Sequence, residues 1–171
     1  DNTWDMDGMD FPMATATSDP PPILSNNPPA TAVSLFKELT GYPNYGNPSG
    51  DADILYTGTR GTWTFNIPPY LFVPGNQRAH LVIRAVLDDH YNVPVSLYSA
   101  TISINGVVVH NGPLPLDHGR PGGTRFTNWG SLLFVVTTFR RNNIITIVNT
   151  SRTGANDWIG LDWMEMRLVP R

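Results

Sequence analysis

Glycine and proline punctuate this chain so closely that it has little room for a long helix. The 15 glycines and 16 prolines fall at turn-like intervals through 171 residues, and the stretches between them are rich in β-branched and aromatic residues. Runs of that kind occupy 54–56, 61–67, 79–87, 99–104, 107–110, 132–138 and 144–149. Eight or more short strands separated by turn residues predict an all-β protein, a β-sandwich of jelly-roll type. Asn105-Gly106 between two such runs predicts a two-residue hairpin. The segment 32–39 is the exception, because Val33, Phe36 and Leu39 fall at helical spacing before Gly41. It predicts one or two helical turns.

Composition narrows the class further. With 40% hydrophobic and 15% charged residues the chain is ordered and globular, and its length fits one domain over 1–168. A net charge of −3 supplies no electrostatic footprint for nucleic acid, and no run of 18 apolar residues spans a bilayer. The absence of cysteine removes disulfides and thiolate metal sites. Leu168-Val169-Pro170-Arg171 matches a thrombin recognition sequence, so 169–171 are set apart as a tag remnant. The chain is expected to be a piece of a larger, multidomain protein.

The closing stretch, Asn-Asp-Trp-Ile-Gly-Leu-Asp-Trp-Met-Glu-Met-Arg-Leu over 156–168, reads as a core strand. Strict alternation would put Gly160, Asp162, Met164, Met166 and Leu168 on one face, and Ile159, Leu161, Trp163, Glu165 and Arg167 on the other. A carboxylate among methionines is costly to desolvate, so Asp162 requires a partner. At the other end, Asp5, Asp7 and Asp10 lie within six residues, either as a solvated acidic edge strand or as oxygen ligands for calcium. The Pro-rich segment 12–31 is either a linker or a loop strapped over the sandwich.

Leu161-Asp162-Trp163-Met164 is similar to the Asp-aromatic-apolar closing strand of carbohydrate-binding modules with a galactose-binding-domain-like β-sandwich. These are the family 6 and family 35 modules and the accessory jelly-roll domains of polysaccharide lyases. The likeness extends over 58–168 through Gly61-Thr62-Trp63, Ile102-Ser103-Ile104-Asn105-Gly106 and Asn143-Ile144-Ile145-Thr146-Ile147. The chain departs from the family in having Arg141-Asn142-Asn143 before the penultimate strand and aspartates, where glutamates are usual, in the first. The resemblance implies a structural Ca2+ held by Asp5, Asp7 or Asp10 together with Asp162. It also implies a loop asparagine near Asn156 that hydrogen-bonds a sugar.

Sugars are bound by aromatic faces that stack on the ring and by polar side chains that pair with hydroxyls. Three loops combine the two. The loop 117–129 carries Asp117, His118, Arg120, Arg125, Asn128 and Trp129. Asn156-Asp157-Trp158 is the second, and Asp88-Asp89-His90-Tyr91-Asn92 the third. Trp129 and Trp158 either stack on a ligand or cap the core. His118 and His90 are either ligand contacts or solvated loop residues, the arginines either contacts or partners of Asp117, and Trp63 belongs to the core.

Catalysis finds little support. Gly-x-Ser-x-Gly and His-Glu-x-x-His are both absent, and Glu38 and Glu165 are the only glutamates. Nothing in the sequence pairs two carboxylates as glycoside hydrolysis requires. The expectation is therefore a non-catalytic domain of an extracellular or cell-surface protein that binds a polysaccharide or oligosaccharide. The alternative is a structural or adhesive sandwich of a bacterial surface, spore or phage assembly that binds protein.

Overall fold

The computed structural model describes residues 33–39, 41–43, 51–122 and 125–170. Two antiparallel sheets dominate it, as the turn-punctuated pattern predicts. The first is built around one long strand, β12 (Trp158–Pro170). Strand β5 (Gln77–Leu87) pairs with it along one side, and β10 (Gly130–Val136) pairs with β5 at the edge. On the other side β12 changes partner: 158–161 pair with β3 (Asp51–Tyr56), and 163–168 pair with β1 (Val33–Glu38). The short β2 (Tyr42–Pro43) extends β3.

The second sheet runs in the order β4 (Arg60–Asn66), β11 (Asn142–Asn149), β6 (Ser99–Ile104) and β7 (Val107–Pro113). A two-stranded ribbon, β8 (Arg120–Gly122) with β9 (Arg125–Thr127), stands apart from both sheets. Single 3-10 turns occupy Pro69–Leu71 and Val95–Leu97.

The change of partner coincides with a β-bulge. Leu161 stands opposite Ala85 and Trp163 opposite Arg84, so Asp162 is the extra residue, and its carbonyl accepts the Leu39 N–H at 3.3 Å. An inserted residue reverses which side chains face inward. Ile159 and Leu161 point into the core before the bulge, and Met164, Met166 and Leu168 after it. The uniform alternation expected for 156–168 is corrected accordingly. Gly160 faces outward, and Trp163, Glu165 and Arg167 continue that outer face.

The helix expected over 32–39 is also corrected. Val33 to Glu38 form six consecutive pairs with β12 from Leu168 to Trp163. Val33 and Leu35 pack against the core while Phe36 is turned out. An isolated helix of one or two turns is barely stable, whereas an open edge of the central strand offers a full ladder. The closing strand continues through Val169 and Pro170, paired with Arg78 and Gln77, and Val169 is buried. Asp5, Asp7, Asp10 and the segment 12–31 lie outside the described residues.

The hairpin forms where Asn105-Gly106 predicts it. Ile104 pairs with Val107, and the two turn residues take φ of 52° and 82°, the left-handed pair of a type I′ turn. Asn105 is fixed from three sides: its amide donates to the Thr138 carbonyl at 2.7 Å and to Asn143 Oδ1 at 2.9 Å, and its Oδ1 accepts the Ile144 N–H at 2.8 Å.

Between the sheets lies one aliphatic core that includes Leu81, Ile83, Ile102, Ile104, Ile145, Met164 and Met166. In β11 the faces alternate cleanly, with Ile145 fully buried and Ile144 half exposed. Ile145→Ala is expected to cost about 2–5 kcal/mol of unfolding free energy and Ile144→Ala less than about 0.5 kcal/mol in chemical denaturation. Equal effects would contradict this register.

Candidate functional site

All three sequence-identified loops emerge from the same end of the sandwich, the end opposite the Asn105-Gly106 turn. The first leaves β5 at Asp88 and returns to β6 at Tyr98. The second runs from β7 through the ribbon to Trp129, and the third joins β11 to β12. They are organised by one carboxyl group. Asp88 is 2% exposed; its Oδ1 accepts the Tyr98 hydroxyl at 2.6 Å and the His90 N–H at 3.2 Å, and its Oδ2 accepts the Trp158 N–H at 3.0 Å. Burial, with the hydrogen bond to Asp88 added, raises the Tyr98 hydroxyl far above the ordinary tyrosine range, so it remains a donor.

His118 lies inside this end. Its Nδ1 is 2.7 Å from the Asp88 carbonyl and its Nε2 2.7 Å from the Val93 carbonyl, and its ring makes T-shaped contacts with Tyr98 and Tyr91. Both nitrogens are engaged with backbone. His118 thus staples the loops, where the sequence left open a ligand contact or a solvated loop residue. Asn128, exposed and left-handed at φ 73°, donates to the His118 carbonyl at 2.8 Å.

Trp129 is likewise structural. It is 8% exposed, donates its indole N–H to the Phe126 carbonyl at 3.0 Å, and joins Ala52, Val86 and Phe126 in a small second core on the outer face of the first sheet. The half-buried Trp158 packs on that cluster, its ring 5.1 Å from Phe126. Gly160 and Gly119 make room for these rings. A Cβ on Gly160 would stand 3.1 Å from Trp158 and 3.2 Å from Trp129, and one on Gly119 would collide with Phe126. Trp63, expected in the core, is partly buried and packs against it, with its indole N–H tied to Asp53 at 2.8 Å.

The most exposed aromatic of this end among the described residues is Tyr91, 51% exposed, with the Arg120 guanidinium 5.2 Å above its ring; Tyr56, at the end of β3, is 37% exposed. Beside it, His90 Nδ1 meets Asp157 Oδ1 at 2.8 Å, and Asp157 Oδ2 accepts the Gly154 N–H at 3.0 Å. Asp157 is buried, whereas the His90 side chain is 54% exposed. Asp117 and Asn156 are exposed at the same end. The Arg125 side chain lies outside the description.

The His90–Asp157 pair shifts both partners. The hydrogen bond from His90 to Asp157, helped by the charges of Asp157, Asp88 and Asp89, raises His90 despite some desolvation. Burial pushes Asp157 up, but hydrogen bonds from His90 and Gly154, the charge of His90 and a hydrogen bond with Asp88 outweigh it, and the net shift is downward. A raised histidine contributes stability below its ordinary 6.5 and loses it as pH rises through the folded value. A lowered carboxyl contributes above its ordinary 3.8 and loses it as pH falls. The pair therefore contributes fully between about 3.8 and 6.5.

The calcium expectation involves residues most of which lie outside the description. Asp162 is wholly buried at the bulge, and no three His, Asp or Glu side chains among the described residues form a metal cage. The remaining ligands that it invokes, Asp5, Asp7 and Asp10, lie outside the description. Sequence reasoning missed the central position of Asp88 and the role of Tyr98. A loop aspartate one step beyond a strand carries no burial signature, although the loop itself was marked.

Neither a protein-family model nor a curated protein matches this chain. Solved structures do. A family 35 carbohydrate-binding module from an environmental isolate superimposes with TM-score 0.51 at 12% identity, over 80% of this chain and 97% of the module. Dimeric latent PorU from Porphyromonas gingivalis gives 0.53 at 10% identity over 81% of this chain. This chain spans only 13% of PorU. The fold is a carbohydrate-binding-module-like β-sandwich.

If Trp129 is core and Tyr91 is surface, their truncations separate. Trp129→Ala is expected to lose about 3–5 kcal/mol of stability and Tyr91→Ala less than about 0.5 kcal/mol, read from denaturation midpoints. Between pH 6.5 and 9, His90→Ala is expected to flatten the decline of wild-type stability, as melting temperature against pH would show.

Proposed function

We propose that this chain is a non-catalytic glycan-binding domain of an extracellular or cell-surface protein, whose ligand lies across the loop surface formed by Tyr91, Arg120, His90, Asn128 and Asn156. The observation that carries the reading is the exposed Tyr91 ring, backed by Arg120 and bordered by His90, on loops held rigid by Asp88. A sugar ring can stack on such a face while the cationic and amide groups hydrogen-bond its hydroxyls. Pre-organisation reduces the entropic cost of binding, and here His118, Asp88 and the second aromatic core supply it. Trp129 and Trp158 act as supports beneath the surface.

No chemistry is assigned to the site. His90 Nδ1 is held by Asp157, but no hydroxyl among the described residues is hydrogen-bonded to Nε2 to serve as a nucleophile. Glu165 is engaged on the outer sheet face by Arg167 at 3.0 Å and Ser34 at 2.5 Å.

A second reading, a sandwich that binds protein in an assembly, draws on a different surface. Phe36, Leu133 and Val135 are 51%, 54% and 61% exposed and share the outer face of the first sheet.

Affinity electrophoresis of the full chain through gels containing plant, microbial and host polysaccharides tests the first reading. Wild type is expected to be retarded by at least one polysaccharide. Tyr91→Ala and Arg120→Ala are each expected to weaken that retention about tenfold or more without moving the denaturation midpoint. Self-association in light scattering, with no retention in any gel, would favour the second reading.

A further inference from the structure

We infer that His90 is a specificity-determining contact of this loop surface, whose exposed ring nitrogen changes from hydrogen-bond acceptor to donor when the ring is protonated. The inference rests on the glycan-binding reading and adds to it a preference among glycans.

The geometry fixes which nitrogen is which. His90 Nδ1 lies 2.8 Å from Asp157 Oδ1, and an ionised carboxylate only accepts, so Nδ1 carries a proton in both charge states. Asp157 is pinned by its second oxygen to the Gly154 N–H, and the His90 backbone is pinned to Asp88, so the ring cannot easily turn over. Nε2 is then bare in the neutral ring and protonated in the charged one. The surroundings favour the charged ring: the hydrogen bond to Asp157, with the charges of Asp157, Asp88 and Asp89, raises its pKa above the ordinary 6.5. Among the described residues, the other charged or titratable groups at this end include Asp117, exposed on the second loop; Arg120, over Tyr91; Tyr91 itself; His118, against Tyr91; Tyr98, bound to Asp88; and Arg152, exposed on the third loop.

The consequence for ligands follows from their hydrogen-bonding capacity. A sugar hydroxyl both donates and accepts, so it can satisfy Nε2 in either state. A sugar carboxylate only accepts. Facing a bare Nε2 with Asp88, Asp89 and Asp157 close by, it meets repulsion from those carboxylates. Facing the protonated ring, it gains a charge-assisted hydrogen bond. Neutral glycans are therefore accepted across the pH range, and acid-bearing glycans chiefly on its acidic side.

Two measurements on the full chain test this separately from the glycan reading. The first needs no ligand. Long-range 1H–15N spectra of the histidine rings from pH 5 to 9 should show the Nδ1–H tautomer for neutral His90 and a midpoint that falls in Asp157→Asn. A neutral Nε2–H tautomer overturns the inference. The second compares affinity-gel retention at pH 5.5 and 8 for xylan beside glucuronoxylan and for galactan beside polygalacturonate. Retention by the acid-bearing member is expected to be about tenfold stronger at pH 5.5, with less than about twofold change for its neutral partner. His90→Gln should abolish the difference while the protein stays folded. A pH effect that persists in His90→Gln, or none in wild type, overturns the assignment. Absence of retention by all four polysaccharides at both pH values removes the glycan reading and the specificity with it, while the ring spectra still decide whether Nε2 reverses.

Discussion

A single buried carboxyl group holds together the end of the molecule on which the function is proposed. Asp88 takes the Tyr98 hydroxyl from the approach to β6, the Trp158 N–H from the start of β12 and the His90 N–H from its own loop. It thereby joins elements of both sheets at the point where the ladders end. A buried carboxylate without donors is strongly destabilising, and one supplied with them gains about 1.5–3 kcal/mol from each charge-assisted bond. The same residue offers its backbone carbonyl to His118, which reaches across to Val93. Removing the Asp88 side chain would thus strand a hydroxyl and two amides together.

The long central strand explains why that end has two layers. Its bulge at Asp162 lies where β3 gives way to β1, and it reverses the strand's faces there. Before the bulge the outward face carries Trp158 and Gly160, and the missing side chain at Gly160 lets Trp129 and Trp158 lie close over the sheet. The β8–β9 ribbon supplies Phe126 to the same cluster. Trp129 and Trp158 are thus taken up in aromatic packing, Trp129 buried and Trp158 half-buried, while Tyr91 rests against His118.

Much of the fold was legible because its signals are local. Asn105-Gly106 specifies its turn by backbone conformation alone, and the runs at 79–87 and 144–149 show their strands by composition. What misled were features set by partners distant in sequence. The alternation of 156–168 is broken by an extra residue visible only in the register against β5. Val33, Phe36 and Leu39 read as a helical stripe until the open edge of β12 is known. At the site, the three loops were identifiable from their mix of aromatic and polar residues. Trp129 drew attention as a large loop aromatic, yet Gly160 leaves it a place over the sheet that no spacing rule reveals. Tyr91, the more exposed of the aromatics there, was marked without being distinguished from its neighbours.

The most direct measurement of the account is a backbone 1H–15N spectrum of the full chain, recorded with and without a polysaccharide fragment that the chain retains. The account predicts shifts concentrated at 88–93, 118–120, 128 and 154–158, with the outer sheet face around Phe36, Leu133 and Val135 unmoved. Shifts centred on that sheet face, with the loop end silent, would contradict it.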